Sequence, residues 1–320
     1  MLAALAALAA HATGASGQVA PPPPPAAMSP GAAAIALLGL PSSPRMAALG
    51  GAYSGVAGDE GSVFVNPAGM APLRPAVASV SWQRGLPGAQ LSTAAFAVRK
   101  GRLSIGLGAM FLHLGGDSAV VPASTLGGTT AAAGGYGVLG VAALAYRRGV
   151  VSVGGSVKYV RQVADSGSAP ASRASGFAGD VGVTIAIFDI MALGATLQNI
   201  GGPLSATDGG RQPLPRLARL GLTLNFVEPQ GVFRLLTNTE YLAPARGDGY
   251  WVLAVESGAV VAGFGVLGRA SYAAGRTGTD RRPTAFGGEL RLRTVRLEYA
   301  FQGYRPAGRA THQVGLRFLP

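Results

Sequence analysis

Apolar and polar residues alternate one for one through residues 289–301, ELRLRTVRLEYAF, and this period of two constrains the fold more than any other feature. Successive side chains of a β-strand point to opposite faces, so the stretch predicts strands with one apolar and one polar face. Leu292 and Leu297 stand on opposite parities, which places a tight turn near Arg293-Thr294. The segment is therefore predicted to be a β-hairpin whose apolar face covers a soluble core or meets lipid.

The same alternation recurs from about residue 76 to the end of the sequence. It predicts about fourteen strands, starting near residues 76, 89, 102, 135, 149, 174, 190, 216, 231, 249, 260, 281, 295 and 310. Most of them are longer than the five or six residues common in soluble proteins and reach the nine to eleven or so that a tilted transmembrane strand needs. We therefore predict an all-β fold, a transmembrane antiparallel up-and-down barrel over residues 76–320, in preference to a soluble sandwich or propeller.

The connections between these strands fall into two classes that alternate along the chain, as the two ends of a transmembrane barrel require. Short turns are predicted at Lys100-Gly101, Arg148-Gly149, Phe188-Asp189, Glu228-Pro229, Ser257-Gly258 and Arg293-Thr294. Longer connections are predicted at 115–133, 164–173, 201–215, 243–248, 275–280 and 305–309. The longest, 115–133, is compatible with a lid, a docking surface or a plain loop.

The composition favours a lipid-facing exterior. Only 12% of the residues are charged, and lysine occurs only at Lys100 and Lys158. A soluble fold would carry more charge on its outer surface. The absence of cysteine excludes disulfides, a lipid-modified N-terminal cysteine and thiolate metal sites.

The net charge of +12 comes almost entirely from arginine, which is spread along the chain. Arginine occurs in pairs only at Arg147-Arg148 and Arg281-Arg282, so a nucleic-acid partner is not expected. Arginines near strand ends can instead meet anionic lipid head groups or line a lumen. We predict that outer-membrane lipid is a partner and that the arginine-rich rims prefer anionic lipid.

The first 30 residues have the composition of targeting and linker segments. Residues 1–20 read as a signal peptide for Sec-dependent export, and residues 21–30 as a proline-rich linker; a helix-prone low-complexity tail is the alternative.

Residues 31–75 do not alternate and predict short turns and helices. Ser43 is a predicted N-cap, Gly50-Gly51 a helix stop and Asp59 a second cap. At Asn66-Pro67 the proline breaks helical structure, and Asn66 is expected to hydrogen-bond its own backbone.

Three motifs in this segment carry a family resemblance. RMAALGGAY at 45–53, Asp59-Glu60, and NPAGMA at 66–71 together resemble the N-terminal signature of the PorV/PorQ outer-membrane proteins, within the wider FadL-like group of fourteen-stranded barrels. The resemblance implies that residues 31–75 fold into the barrel as a hatch. It implies these hatch residues: Arg45, Gly50, Gly51, Tyr53, Asp59, Asn66, Pro67, Ala68 and Gly69. Val65 stands where the family carries an aromatic residue, with Phe64 one place earlier. An ordinary loop on the periplasmic side is the alternative.

Several patterns that suggest chemistry have plainer interpretations. GYGVLG at 135–140 and GFGVLG at 263–268 lie inside strand patterns, so their glycines are interpreted as room for curvature or a plug, not as a dinucleotide site. Three histidines without metal-ligand spacing predict no metal, and neither a cofactor nor a catalytic residue is expected. Charges on the polar parity of late strands are predicted to form an ion-pair lattice in the lumen: Arg234, Glu240, Glu289, Arg291, Arg296 and Glu298.

Two functions compete at this stage. One is non-enzymatic uptake or binding of a hydrophobic or amphipathic small molecule, as the likeness to FadL-type transporters implies. The other is a partner-binding role in type IX-like secretion or outer-membrane assembly, as the PorV likeness implies. Transport is favoured because the loops show no feature specialised for protein capture.

Overall fold

The structure is a computed structural model. It describes residues 37–86, 89–115, 119–122, 129–132, 134–164, 172–188, 190–207, 209–228, 231–276, 281–304 and 310–320. The predicted signal peptide, the predicted linker and residues 31–36 of the predicted hatch lie outside the described residues.

The described residues form eighteen β-strands, with short helices before the first of them. The helices are α1 (Pro44–Ala48) and two 3-10 helices, η1 (Glu60–Phe64) and η2 (Pro67–Met70). The strands are β1 (Ala76–Leu86), β2 (Ala89–Lys100), β3 (Leu103–Leu114), β4 (Ala119–Pro122), β5 (Thr129–Ala132), β6 (Gly135–Arg148), β7 (Val151–Ala164), β8 (Ser172–Ile187), β9 (Met191–Ile200), β10 (Leu204–Ala206), β11 (Arg211–Gln212), β12 (Leu217–Val227), β13 (Phe233–Pro244), β14 (Tyr250–Val261), β15 (Phe264–Ala274), β16 (Arg281–Leu292), β17 (Val295–Tyr304) and β18 (Ala310–Phe318).

Fourteen of the strands close into one antiparallel barrel, which confirms the predicted fold class. Their order around the wall is β1, β2, β3, β6, β7, β8, β9, β12, β13, β14, β15, β16, β17 and β18. Closure is made by β18 and β1, whose register runs from Ala78 opposite Phe318 to Arg84 opposite His312. The four other strands belong to two long connections: β4 and β5 form a hairpin within 115–133, and β10 and β11 extend from β8 within 201–215.

The two ends of the barrel differ in their connections, and the short turns predicted at Lys100-Gly101, Arg148-Gly149 and Arg293-Thr294 lie where expected. Asp189 and Pro229, the second residues of the turns predicted at Phe188-Asp189 and Glu228-Pro229, lie outside the described residues. The turn predicted at Ser257-Gly258 is wrong, because these residues lie inside β14 and pair with β15. The chain turns instead at Ala262-Gly263, where both residues have positive φ, +50° and +84°. Tight hairpin turns require this left-handed backbone. The sequence suggested a turn at this position because Ser257 and Gly258 are small residues of the kind that turns favour, although they lie in the middle of a strand.

The outward face of the barrel is apolar over a band of membrane height. On β6, Tyr136 and Tyr146 are both exposed and stand at opposite edges of that band. At about 3.3 Å per residue and a tilt near 40°, ten residues span ~25 Å of height, which is the apolar band of transmembrane barrels. Leu290, Leu297 and Tyr299 of the hairpin described first also face outward and are each about two-fifths exposed. The apolar parity therefore meets lipid.

No helix among the described residues is long and apolar enough to cross a membrane.

Residues 37–75, which we call the inner segment, occupy the interior of the barrel. Leu37 is fully buried beside Gly137, the third residue of β6 counted from its long-connection end. From there the chain runs through α1, η1 and η2 toward the short-turn end of the barrel. It reaches that end at Arg74, next to the start of β1. The inner segment therefore runs through the lumen from one end to the other.

Candidate functional site

The first part of the inner segment is shaped by helix caps. Ser43 accepts a hydrogen bond from the Met46 N–H at 3.1 Å, which caps α1. At the other end, Gly51 N–H donates to Met46 O at 2.9 Å and Gly50 N–H to Ala47 O at 3.0 Å. This pair of bonds is the Schellman arrangement, which needs left-handed residues after the helix, and the two glycines have φ +67° and +87°. The sequence-based cap and stop are as predicted.

The second part of the inner segment is a corner built around Asn66. Its Oδ1 accepts from Ala68 N–H at 3.2 Å, which caps η2 ahead of Pro67, as the sequence predicts. Its Nδ2 donates to Ser54 O at 2.7 Å and to Thr184 Oγ1 on β8 at 3.2 Å. One buried side chain therefore ties the corner to an earlier stretch of the inner segment and to the barrel wall.

Half of the wall, from β3 to β12, meets the inner segment at glycines. We call this set the glycine seat, and it consists of Gly106, Gly108, Gly154, Gly182, Gly194 and Gly221. A Cβ at Gly154 would stand 2.6 Å from Ala68 N, and one at Gly194 would overlap the Ser54 carbonyl. At Gly154 and Gly194 the wall and the inner segment are thus in contact backbone to backbone, and at the other four glycines a side chain of the inner segment lies against the wall.

Phe64 fits the seat in the same way. The tip of its ring lies against Gly108, where a Cβ would be 2.5 Å away, and the side chain is buried. This ring stands one place before the position at which the resembled family carries its aromatic residue, and Val65 is buried beside it. The corner is therefore wedged by the neighbouring ring.

Wall side chains satisfy the irregular backbone of the inner segment. Buried N–H and C=O groups without hydrogen-bond partners are costly. The inner segment has no regular ladder of backbone hydrogen bonds that would provide those partners. The pairs are Lys158 to Phe64 O (3.2 Å), Gln198 to Phe64 O and Val65 O (both 3.1 Å), Arg219 to Gly51 O (2.7 Å), Asn238 to Ala52 O (2.9 Å) and Ser54 N–H to Glu240 (2.8 Å). Sequence reasoning missed Lys158, Gln198 and Asn238 as contacts of the inner segment.

Lys158 is the most buried cation of this set, with 1% exposure. Its Nζ lies 2.7 Å from Asp180 and donates to Asn199 Oδ1 at 3.3 Å. Asn199 has φ +56°, and its N–H donates to Asp180 at 2.9 Å, at a register shift between β8 and β9. The irregular pairing at this register shift therefore places Asp180 and Asn199 around the Lys158 ammonium, which also donates a hydrogen bond to the Phe64 carbonyl.

Replacing Lys158 by methionine is expected to lower the free energy of unfolding by about 3–5 kcal/mol, because Asp180 would be left buried without its cation. Urea unfolding in lipid vesicles measures the change. The double variant Lys158→Met/Asp180→Leu is expected to recover much of the loss. If the double variant is less stable than the single one, the charge pair is not the reason for the loss.

The other half of the wall meets the inner segment through charges. We call these ten residues the charge lattice: Arg45, Asp59 and Glu60 of the inner segment, with Glu256, Arg269, Glu289, Arg291, Arg296, Glu298 and Arg317 of the wall. Six members form a closed ring of alternating sign: Arg45 to Asp59 (2.8 Å), Asp59 to Arg317 (2.9 Å), Arg317 to Glu298 (3.6 Å), Glu298 to Arg269 (3.1 Å), Arg269 to Glu256 (2.6 Å) and Glu256 to Arg45 (3.0 Å). The lattice therefore contains five arginines and five acidic side chains.

The predicted lumen charges divide between three places. Glu289, Arg291, Arg296 and Glu298 belong to the lattice. Glu240 lies apart from it and pairs with Arg219 at 3.0 Å. Arg234 is half-buried near the short-turn end. Sequence reasoning missed Arg269, Arg317 and Glu60, although the two arginines stand on the polar parity of their strands.

The two neighbouring carboxyls of the inner segment differ in their acidity. Burial alone would raise the pKa of Asp59, but Arg317 and Arg45 hold that pKa well below its usual range. Burial raises the pKa of Glu60 from 4.5 to about 7; Asp59 and Glu298 add to the rise, and Arg317 at 2.9 Å opposes it. Burial also raises the pKa of Tyr53 well above its ordinary value. Between pH 5 and 8, Glu60 is therefore the titrating member of these three.

Stability is expected to fall as the pH rises from 5 to 8. A group whose folded pKa is raised contributes stability that is complete below the unfolded pKa, here 4.5, and is lost as the pH passes the folded value of about 7. The loss is up to about 3 kcal/mol. Urea midpoints measured at unit pH steps check it, with Glu60→Gln as the variant that removes the slope. A slope that survives in Glu60→Gln would assign the effect to another group.

Two cavities flank the inner segment. One of about 70 Å³ lies on the long-connection side, and one of about 220 Å³ lies on the short-turn side between Gly58, Ile190 and Thr223. The first is smaller than the roughly 150 Å³ of apolar cavity that holds one benzene. In the described arrangement the inner segment therefore fills the space that a ligand would need to pass. Among the described residues, no group of three or more His, Asp or Glu side chains could hold a metal ion.

Comparisons with known proteins agree with this architecture. The model of the family described as "Uncharacterised protein family (UPF0164)" matches residues 16–208, more than half of the chain, so the chain belongs to this family. No curated protein matches.

Solved structures of fourteen to fifteen per cent identity share the fold. A FadL homologue from Pseudomonas aeruginosa has a TM-score of 0.58 and 14% identity, covering 87% of this chain and 98% of that one. The toluene transporter TodX from Pseudomonas putida has 0.53 and 15%, covering 85% and 95%. A TodX mutant described as a monoaromatic hydrocarbon channel has 0.55 and 15%, covering 86% and 97%. The chain therefore has the FadL-like barrel fold.

Proposed function

We propose that this chain is an outer-membrane protein that takes up or binds hydrophobic or amphipathic small molecules, with the inner segment as a hatch. The observation that carries the proposal is a lumen filled by an irregular segment held by side chains and glycine contacts, with a cavity on each side of it. The resemblance to solved barrels described as toluene or hydrocarbon transporters supports a transport role.

The hatch would work by leaving the glycine seat. Gly55, next to Ser54, lines the cavity on the short-turn side, and Phe64 and Val65, ahead of Asn66, line the other. Ser54 and Asn66 contact the seat directly. Displacing them would join the cavity on the long-connection side to the one on the short-turn side. The bonds of Lys158, Gln198 and Asn238 to the inner-segment backbone would have to break, and water or ligand would have to replace them.

The lining of the cavity on the long-connection side favours a ligand with an apolar body and an anionic end. Its apolar surface comes from residues such as Leu40, Leu139 and Leu242, and Arg276 and Arg281 also line it. The Nε atoms of both arginines are buried without a hydrogen-bond partner, while Arg276 Nη2 donates to the Tyr250 hydroxyl at 3.2 Å. Unpaired buried donors are costly, and a carboxylate end group would satisfy them.

The narrower assignment to the PorV/PorQ type rests on the RMAALGGAY and NPAGMA motifs alone. In that assignment Arg45, Tyr53 and Asp59 belong to the hatch together with the Asn66–Gly69 corner, and the protein reaches the outer membrane after signal-peptide removal. The structural role of these residues inside the lumen supports it. A non-enzymatic partner-binding role in type IX-like secretion or outer-membrane assembly is the alternative outcome of the experiment below.

Native mass spectrometry of the protein, extracted gently from its own membrane, tests the proposal. We expect a bound apolar or amphipathic small molecule whose occupancy falls at least about tenfold in Asn66→Ala, because that change releases the corner at Ser54 and Thr184. Gly140→Ala on the lipid-facing side of β6, with open space around it, is the matched control. A stoichiometric protein partner without a small ligand would overturn the transport proposal in favour of secretion or assembly.

A further inference from the structure

We propose that the barrel binds anionic phospholipid head groups at its short-turn end, on one side of the wall. Two neighbouring turns there have the same make-up, two basic residues followed by glycine: Arg99-Lys100-Gly101 and Arg147-Arg148-Gly149. Both glycines have φ +62° and open space around them. The turns therefore project freely beyond the strands.

These turns and their neighbours form a basic surface, which we call the basic collar. It consists of Arg74, Arg99, Lys100, Arg102, Arg147 and Arg148. Main-chain bonds join its parts, since Arg147 N–H donates to Arg102 O and Arg99 N–H to Pro75 O, both at 2.9 Å. Residues 71–77, 97–105 and 144–154, the described segments that carry the collar, contain no Asp or Glu. Within these segments no carboxylate offsets the positive charge.

The position of the collar matches that of lipid phosphates. Lys100 shares the outward parity of Val98, and Arg148 shares that of Tyr146. Only β3 separates β2 from β6, so the two outward cations stand about two strand spacings, or ~10 Å, apart. Exposed tyrosines such as Tyr146 mark the interface between hydrocarbon and head groups. Charges one turn beyond that level lie where phosphates are found.

The exposed cations of this end are concentrated on one side of the barrel. On the opposite wall, Arg291 and Arg296 face the lumen and pair with Glu289, and Arg234 is half-buried. The same end of that wall carries the exposed Glu228 after β12 and the apolar Ala262 in the β14–β15 turn. The exposed Arg293 there lies 5.4 Å from the Phe264 ring centroid, in a cation–π contact. A lipid phosphate is the partner that fits a cation pair bordered on one side by an apolar, lipid-facing wall.

Lipid retention tests this proposal. The protein is reconstituted in nanodiscs of phosphatidylcholine with a minority of phosphatidylglycerol, extracted in mild detergent, and its retained lipids are counted by native mass spectrometry. We expect phosphatidylglycerol to be enriched about fivefold or more over its bilayer fraction, since even one basic side chain near an anionic surface contributes a factor of that size. The enrichment should fall at least about fivefold in the triple variant Lys100→Gln/Arg102→Gln/Arg148→Gln.

The matched control removes the same charge from the other end of the barrel. Arg173, Arg246 and Arg282 are exposed there, and changing all three to glutamine should leave the enrichment intact. No enrichment in the unmodified protein, persistence of the enrichment in the collar variant, or an equal loss in the control variant would each overturn the proposal.

Discussion

Replacing Gly194 by valine is expected to displace the inner segment and open the barrel. Gly194 lies on β9 in the glycine seat, where a Cβ would overlap the Ser54 carbonyl and stand 2.8 Å from Gly55 N. Both neighbours are backbone, so no side chain can rotate away. Because cores resist overpacking, the segment must move by more than an ångström or the barrel must distort. Single-channel recording in planar bilayers should show a conductance that the unmodified protein lacks.

Gly140→Val is the control for this prediction. Gly140 lies on the outward face of β6 with no atom within 4 Å of an added Cβ. It therefore carries the same change in side-chain volume and strand propensity without contact with the inner segment. If Gly194→Val remains closed while folding normally, or if Gly140→Val conducts equally, the seat does not hold the hatch.

Replacing Arg269 by methionine is expected to be the most destabilising single change in the lattice. The Arg269 side chain is fully buried and pairs with Glu256 at 2.6 Å, with Glu298 at 3.1 Å and with Glu289. Its loss would leave three buried carboxylates facing one another with too few cations. Breaking one buried pair costs about 3–5 kcal/mol, and this change breaks three. Urea unfolding followed by the fluorescence of Trp82 and Trp251 measures the effect.

The exposed Arg282 supplies the comparison, since Arg282→Met should change stability by no more than about 0.5 kcal/mol. The double variant Arg269→Met/Glu289→Gln should be more stable than Arg269→Met, because one of the unpaired carboxylates is removed. An Arg269→Met protein as stable as Arg282→Met would show that the lattice does not hold the wall and the inner segment together.

The barrel could be predicted from the sequence because the apolar character of each outward residue indicates directly that it faces lipid. Leu290 and Leu297 meet lipid and pair directly across β16 and β17, and alternation alone then turns Glu289 and Glu298 inward. The caps were equally local, since Ser43 and Asn66 bond to N–H groups two or three residues away. Local patterns of this kind require no knowledge of the rest of the fold.

The partners inside the lumen could not be predicted, because they depend on which strands face each other across the barrel. Glu289 stands opposite Glu298, a like-charge pair whose two carboxylates are bridged by Arg269 from β15. The glycine seat could not be predicted for the same reason. Gly194 and Gly140 look alike in sequence, yet Gly194 touches Ser54 and Gly140 faces outward into open space. Strand register and the path of the inner segment decide such contacts.

Thiol labelling of Ser54→Cys during ligand uptake tests the central claim most directly, because the chain contains no other cysteine. Ser54 is fully buried between the seat and Glu240, so a water-soluble maleimide should react slowly in proteoliposomes without ligand. Decanoate is an apolar chain with one carboxylate. If its uptake moves the inner segment off the seat, decanoate should raise the labelling rate at least about tenfold. This factor corresponds to a decrease of about 1.4 kcal/mol in the free energy of opening. A labelling rate that stays constant while decanoate crosses the membrane would contradict the hatch.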